Sequence, residues 1–343
     1  MASLKYHLLR EVADIAFRDS SIWSEGTPIV TSFALSGRVP SLIVRRMVQN
    51  EVITVYPYEH ELVVKYGEHE VFSEVLSVLM AKWVLKLRIF CYDRFFYRNF
   101  SLFFGNWENE DLEELSVDNA DIDNWPNIFK TFPKLVSLHL AAFQFDDMLR
   151  DAPNELAGLE EIGITLNNGF EKKSLADTCL ALCEHQSKLP SLEVVQLKGV
   201  EFQLHYNDYP IPSKVTPMPS VKHLKIAVMQ YSFVDINLFI TVMQKVFPSL
   251  ETFELDVEAY DHYGLDFSNI KDFYKAFHSL CVGFDLKVNY REKPYYYDSI
   301  IDYYRDRLFP KSTVTKTDGK FTAKTCFPGI TIIHEVINKN YAY

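Results

Sequence analysis

The stretch Pro133-Lys134-Leu135-Val136-Ser137-Leu138-His139-Leu140 decides how this chain is read, because it returns. It recurs as Pro190-Ser191-Leu192-Glu193-Val194-Val195-Gln196-Leu197, as Pro219-Ser220-Val221-Lys222-His223-Leu224-Lys225-Ile226, and as Pro248-Ser249-Leu250-Glu251-Thr252-Phe253-Glu254-Leu255. Two copies lack the proline: Leu112-Glu113-Glu114-Leu115-Ser116-Val117 and Leu159-Glu160-Glu161-Ile162-Gly163-Ile164. Counted from the leucine, apolar residues stand at positions one, four and six with polar residues between. Side chains alternate across a strand, so the phrase predicts one buried face and one solvated face.

The register marks Leu112, Leu135, Leu159, Leu192, Val221 and Leu250 are 23, 24, 33, 29 and 29 residues apart. A strand phrase of this form repeating every ~20 to 29 residues is the signature of a leucine-rich repeat, here irregular. Between phrases the apolar period lengthens to helical spacing. Ser174 is an N-cap candidate for a helix through Cys183, and Phe233 to Phe247 and Ile270 to Leu280 read similarly. Prolines before the phrases end the helices, because proline disfavours helix in the preceding residue. The expected fold is therefore α/β: an irregular solenoid with parallel strands and helices on its convex side. One strand and helix cannot bury their apolar faces alone, so stacked copies supply the core. The residues between the leucines then form a concave protein-binding face: Glu114, Ser116 and Asp118; Ser137 and His139; Glu161 and Thr165; Gln196 and Lys198; His223 and Lys225; Thr252, Glu254 and Asp256.

Composition narrows the function classes. The chain has 343 residues, 48% hydrophobic and 24% charged, values of a folded protein. The net charge of −11 opposes a broad nucleic-acid face, and Arg45-Arg46 and Lys172-Lys173 are isolated basic pairs. Glycine is scarce at 12 residues, and no phosphate-cradling loop, dinucleotide fingerprint or nucleophile elbow occurs. His60-Glu61, His69-Glu70 and His334-Glu335 could each open a zinc-protease helix, but Val64, Ser73 and Asn338 stand where the second histidine is needed. Cys179, Cys183 and His185 cluster without a further ligand nearby, so packing is expected rather than metal. No catalytic residue, cofactor or metal is expected. Five cysteines, an odd number and mostly within apolar runs, suggest reduced, buried thiols. With neither a signal peptide nor a spanning apolar run, the expected location is the cytosol or nucleus, away from membranes.

Flanking the array, residues 1–50 read as short helices. Residues 51–105 hold a hairpin (Val52–Tyr56 with Leu62–Tyr66), a helix over Val71 to Met80 and a first array strand at Leu85–Phe90. The array occupies 106–290, and a Tyr-rich cap 291–343. The cap includes Tyr295-Tyr296-Tyr297, a helix over Asp298–Leu308 and a hairpin about Asp318-Gly319.

The segment Leu8 to Phe17 followed by Phe33-Ala34-Leu35-Ser36-Gly37-Arg38 resembles an F-box. Followed by degenerate repeats, the whole is similar to divergent F-box/leucine-rich-repeat proteins of the type expanded in nematodes. The resemblance implies a non-catalytic substrate-recognition subunit of a cullin–RING ubiquitin ligase. Leu8, Glu11, Val12, Ile15, Phe17 and Leu35 would bind a Skp-type adaptor, and the concave strands a target protein. The competing expectation keeps the binding face without the ligase: a scaffold, inhibitor or neutralising partner of one protein.

Overall fold

The computed structural model describes residues 6–19, 29–58, 61–66, 69–72, 82–90, 109–118, 122, 124–152, 155–167, 173–200, 216–229, 236–259, 275, 277, 280–292, 312–317 and 320–337. It is a mixed α/β structure whose strands are mostly parallel, and it divides into two compact units, Met1–Leu159 and Glu160–Tyr343.

The first unit opens with three helices packed on one another, α1 (Tyr6–Asp19), α2 (Ile29–Leu35) and α3 (Arg38–Asn50). Ala13, Ala16, Val30, Ala34, Ile43, Val44, Met47 and Val48 are buried, at the three- and four-residue spacing of helix faces. β1 (Val52–Tyr58) pairs antiparallel with β2 (Glu61–Tyr66), forming the expected hairpin. β3 (His69–Phe72) then pairs antiparallel with β2. Val71 and Phe72 are therefore strand and not the start of a helix; 73–81 lie outside the described residues. β4 (Lys86–Phe90) lies parallel to β1 and to β5 (Glu114–Asp118), which lies parallel to β6 (Ser137–Ala141). The sheet order is β3-β2-β1-β4-β5-β6. Asn124 caps α4 (Trp125–Thr131) by accepting the Asn127 N–H at 3.0 Å. α5 (Ala142–Asp151) follows β6 directly, and its Gln144 Oε1 accepts the Ala141 N–H at 2.7 Å.

In the second unit β7 (Glu161–Thr165), β8 (Val194–Val200), β9 (His223–Met229), β10 (Thr252–Ala259) and β11 (Asp285–Glu292) run parallel in that order. The next rung is β14 (Ile330–Ile337), parallel to β11; β13 (Lys320–Phe327) and β12 (Thr313–Thr317) complete the order antiparallel. β12 and β13 are the expected hairpin; its Asp-Gly turn, the tyrosine clusters, the helix expected at Asp298–Leu308 and most of Ile270–Leu280 lie outside the described residues. Two helices are described here, α6 (Leu175–Glu184) and α7 (Ile236–Val246). Ser174 caps α6, its Oγ accepting the Asp177 N–H at 3.0 Å.

Repetition of the phrase shows in the backbone. Glu160 O accepts both Glu193 N–H and Val194 N–H, Glu193 O accepts Lys222 and His223, and Lys222 O accepts Glu251 and Thr252, all at 2.8–3.1 Å. Leu85 O and Glu113 O do the same in the first unit. Equal entry into each strand keeps the apolar positions in register. Ile162, Val195, Leu224, Phe253, Leu286 and Ile330 form one row; Ile164, Leu197, Ile226, Leu255, Val288 and Ile332 form the next. All twelve are at most 2% exposed. Each such side chain contributes about 1.5–3 kcal/mol of burial. α7 covers this apolar face, with the Phe239 ring 6.1 Å from that of Phe253.

Cys179 and Cys183 are buried on α6, as expected, but Cys281 and Cys326 are exposed, correcting the expectation that the cysteines are buried. Cys281 precedes β11 outside any strand, and Cys326 falls on the polar phase of β13, opposite Thr331. Cys91 lies outside the described residues.

Candidate functional site on the polar faces of the parallel strands

The buried apolar rows leave the alternate side chains on the opposite face of each unit's sheet. In the second unit, one outward row runs Gln196, Lys225, Glu254, Lys287; the next holds Asp256 and Asn289; a third holds Glu258, Arg291 and Glu335. Neighbouring rungs place these groups within reach. Glu254 Oε1 accepts from Lys287 Nζ at 2.6 Å and from Asn289 Nδ2 at 2.8 Å, while Lys225 Nζ lies 3.3 Å from Glu254 Oε2 and 3.4 Å from Asp256 Oδ2. Asn289 Nδ2 also donates to Asp256. Glu335 receives Arg291 Nε at 3.2 Å and Lys320 Nζ at 2.6 Å, and Arg291 also faces Glu258. Farther along, Gln196 donates to Glu161, and His223 Nδ1 meets Thr252 Oγ1 at 2.8 Å.

Partial burial by itself would raise the Glu254 carboxyl; hydrogen bonds from Lys287 and Asn289 and the charge of Lys225 outweigh it and hold its pKa at about 2. Glu335 is lowered in the same way, burial being outweighed by Lys320 and Arg291. Lys225 is raised: burial opposes its charge, but Asp256 and Glu254 more than compensate. Four cations (Lys225, Lys287, Arg291, Lys320) thus meet four carboxylates (Glu254, Asp256, Glu258, Glu335). Each carboxylate faces a cation or an amide, so the charges of this face are largely matched to one another.

The first unit repeats the pattern on a smaller scale. Lys86 pairs with Glu114 at 3.5 Å, and Arg88 Nε with Asp118 Oδ2 at 2.5 Å. Ser116 is half-buried beside them. Ser137 departs from expectation: it is only 8% exposed, with its Oγ 3.2 Å from His139 Nε2, so it supports His139 instead of facing a partner. Lys225, expected on the concave binding face, bridges two carboxylates there. Lys198 is exposed, and Thr165 beside it is half-buried.

The sequence reading missed Lys287, Asn289, Arg291, Glu258, Glu335 and Lys320. β11 and β14 carry no proline-led phrase, although the alternation Leu286, Val288, Tyr290 and Ile330, Ile332, His334 marks each as a strand. Among the described residues no group of His, Cys, Asp and Glu could hold a metal ion. Burial pushes the Cys179 thiol far up and the Cys183 thiol to about 11, so both are protonated packing groups.

On the helices, the residues that the F-box resemblance assigns to an adaptor are outside. Leu8 is 40% exposed, Val12 41%, Ile15 50% and Leu35 62%; Glu11 is exposed too. The Phe17 side chain lies outside the described residues. Among the described residues no helix is long and apolar enough to cross a membrane. No family model, no curated protein and no solved structure matches this chain.

Proposed function

We propose that this chain is a non-catalytic protein-interaction module that serves as a substrate-recognition adaptor of a cullin–RING ubiquitin ligase. In this reading the parallel rungs form an irregular leucine-rich-repeat solenoid, its polar face selects a target protein, and α1–α3 form an F-box-like region that docks a Skp-type adaptor. One observation carries it. Of the ten large apolar side chains exposed among the described residues, seven (Leu8, Val12, Ile15, Ile29, Leu35, Val39 and Leu42) belong to α1–α3. Leu8, Val12 and Ile15 follow helical spacing, which normally directs such residues into a core; exposing them is costly unless a partner covers them.

The test is a pull-down of the full chain with a Skp-type adaptor. Wild type is expected to bind, and Val12→Glu with Ile15→Glu to lose binding with little change in melting temperature, since both side chains are already exposed. Failure of the folded wild type to bind overturns the ligase reading. The second reading, a ligase-independent scaffold, inhibitor or neutralising partner, is favoured by one departure: Arg10 follows Leu9 where the F-box pattern has proline. It is supported if affinity purification recovers a target without any adaptor.

A further inference from the structure

β12 is the last strand of the second unit's order, and all five of its residues, Thr313-Val314-Thr315-Lys316-Thr317, are exposed. It pairs with β13 without a bulge, so its outer backbone edge is straight, and no strand covers that edge among the described residues. Natural sheets usually shorten, bulge or cover such an edge. Three β-branched threonines and Val314 keep this one extended.

Register assigns its two faces. Val314 and Lys316 lie opposite Ala323 and Phe321, which are fully buried; Val314, 38% exposed, is the outer margin of that apolar face. Thr313, Thr315 and Thr317 lie opposite Lys324, Thr322 and Lys320. The hairpin therefore carries Lys316, Lys320 and Lys324 within a chain of net charge −11. Lys320 is held by Glu335, whereas Lys316 and Lys324 are exposed and make no ion pair among the described residues. Self-pairing about Thr315 would bring two basic hairpins together, and like charges oppose it.

We propose that the outer edge of β12 binds an extended acidic polypeptide segment by strand addition. Its backbone hydrogen-bonds to the edge; on the face of Val314 an apolar side chain stands beside Val314 and a carboxylate two residues along beside Lys316, while on the other face a carboxylate reaches across Thr313 toward Lys324. Val314, Lys316 and Lys324 take no part in the polar rows described above.

The test is fluorescence anisotropy with the full chain and a labelled decapeptide repeating Val-Val-Glu-Glu, which presents both valine and glutamate on each face of an added strand. Three comparison peptides carry lysine for glutamate, or N-methyl groups on every second amide in one phase or in the other. The glutamate peptide is expected to bind at least about tenfold tighter than the lysine peptide, with affinity falling as salt rises. One of the two N-methylated phases is expected to abolish binding. Lys316→Glu with Lys324→Glu, both exposed and checked for folding by circular dichroism, is expected to reverse the charge preference. The proposal is overturned if the glutamate peptide does not bind, if both charge types bind alike, if both N-methylated phases still bind, or if the double variant binds as wild type does. A dimer formed by wild type and lost on capping this edge would assign it to a second copy instead, which also overturns it.

Discussion

Glu254→Gln removes the one carboxylate that Lys225, Lys287 and Asn289 share. The drop from an ordinary 4.5 to about 2 would be worth about 3.4 kcal/mol without solvent screening. The group is only partly buried, Lys287 is exposed and Lys225 half-buried, so about 1–2 kcal/mol is the expected contribution. Because the folded state binds this proton less tightly than the unfolded chain, the contribution is full well above pH 4.5 and is lost as pH falls through about 2. The difference between wild type and variant should fall below about half its neutral value by pH 3 and nearly vanish by pH 2. Urea unfolding followed by circular dichroism measures it. With m of roughly 2 kcal/mol per molar, the variant midpoint at pH 7 should drop by about 0.5–1 M. All four tryptophans (Trp23, Trp83, Trp107, Trp125) lie in the first unit, so their fluorescence separately reports whether that unit responds. A wild-type-to-variant gap that stays constant from pH 7 to pH 2 would refute the charge assignment, and so would no gap at pH 7.

Lys198→Glu should leave the melting temperature within about 1 °C, whereas Lys225→Glu, which puts a third carboxylate beside Glu254 and Asp256, should lower it by roughly 3–6 °C in scanning fluorimetry. Gly199 has a φ of 69° at the β8 bulge, and a Cβ there would stand 2.9 Å from Asn167 O. Gly199→Ala should therefore cost about 1–3 kcal/mol in the same urea titration, and a neutral result would show that the bulge relaxes freely. Iodoacetamide followed by peptide mass mapping should label Cys281 and Cys326 in the folded protein, and Cys179 and Cys183 only after denaturation.

The phrase made much of the parallel sheet legible because its chemistry is local. Leucines at positions one, four and six announce a strand with one buried face, Ser174 announces a helix start, and prolines mark the strand entries. The errors arose where local pattern is ambiguous or silent. Val71-Phe72 is apolar in either a helix or a strand, and pairing with β2 settles it. Ser137 has the outward phase in sequence, yet its surroundings bury it.

Sequence alone determined the direction of the phrase side chains, since alternation along an extended backbone is a property of each residue and its neighbours. Tertiary structure alone decided which rungs stand side by side. β14 takes the place next to β11 although β12 and β13 precede it in the chain, and only that placement brings Glu335 to Arg291. Lys287 meets Glu254 across a similar step, 33 residues away. Such pairs depend on the spacing between neighbouring strands, a distance no local pattern encodes, so the charges were readable while their partners were not.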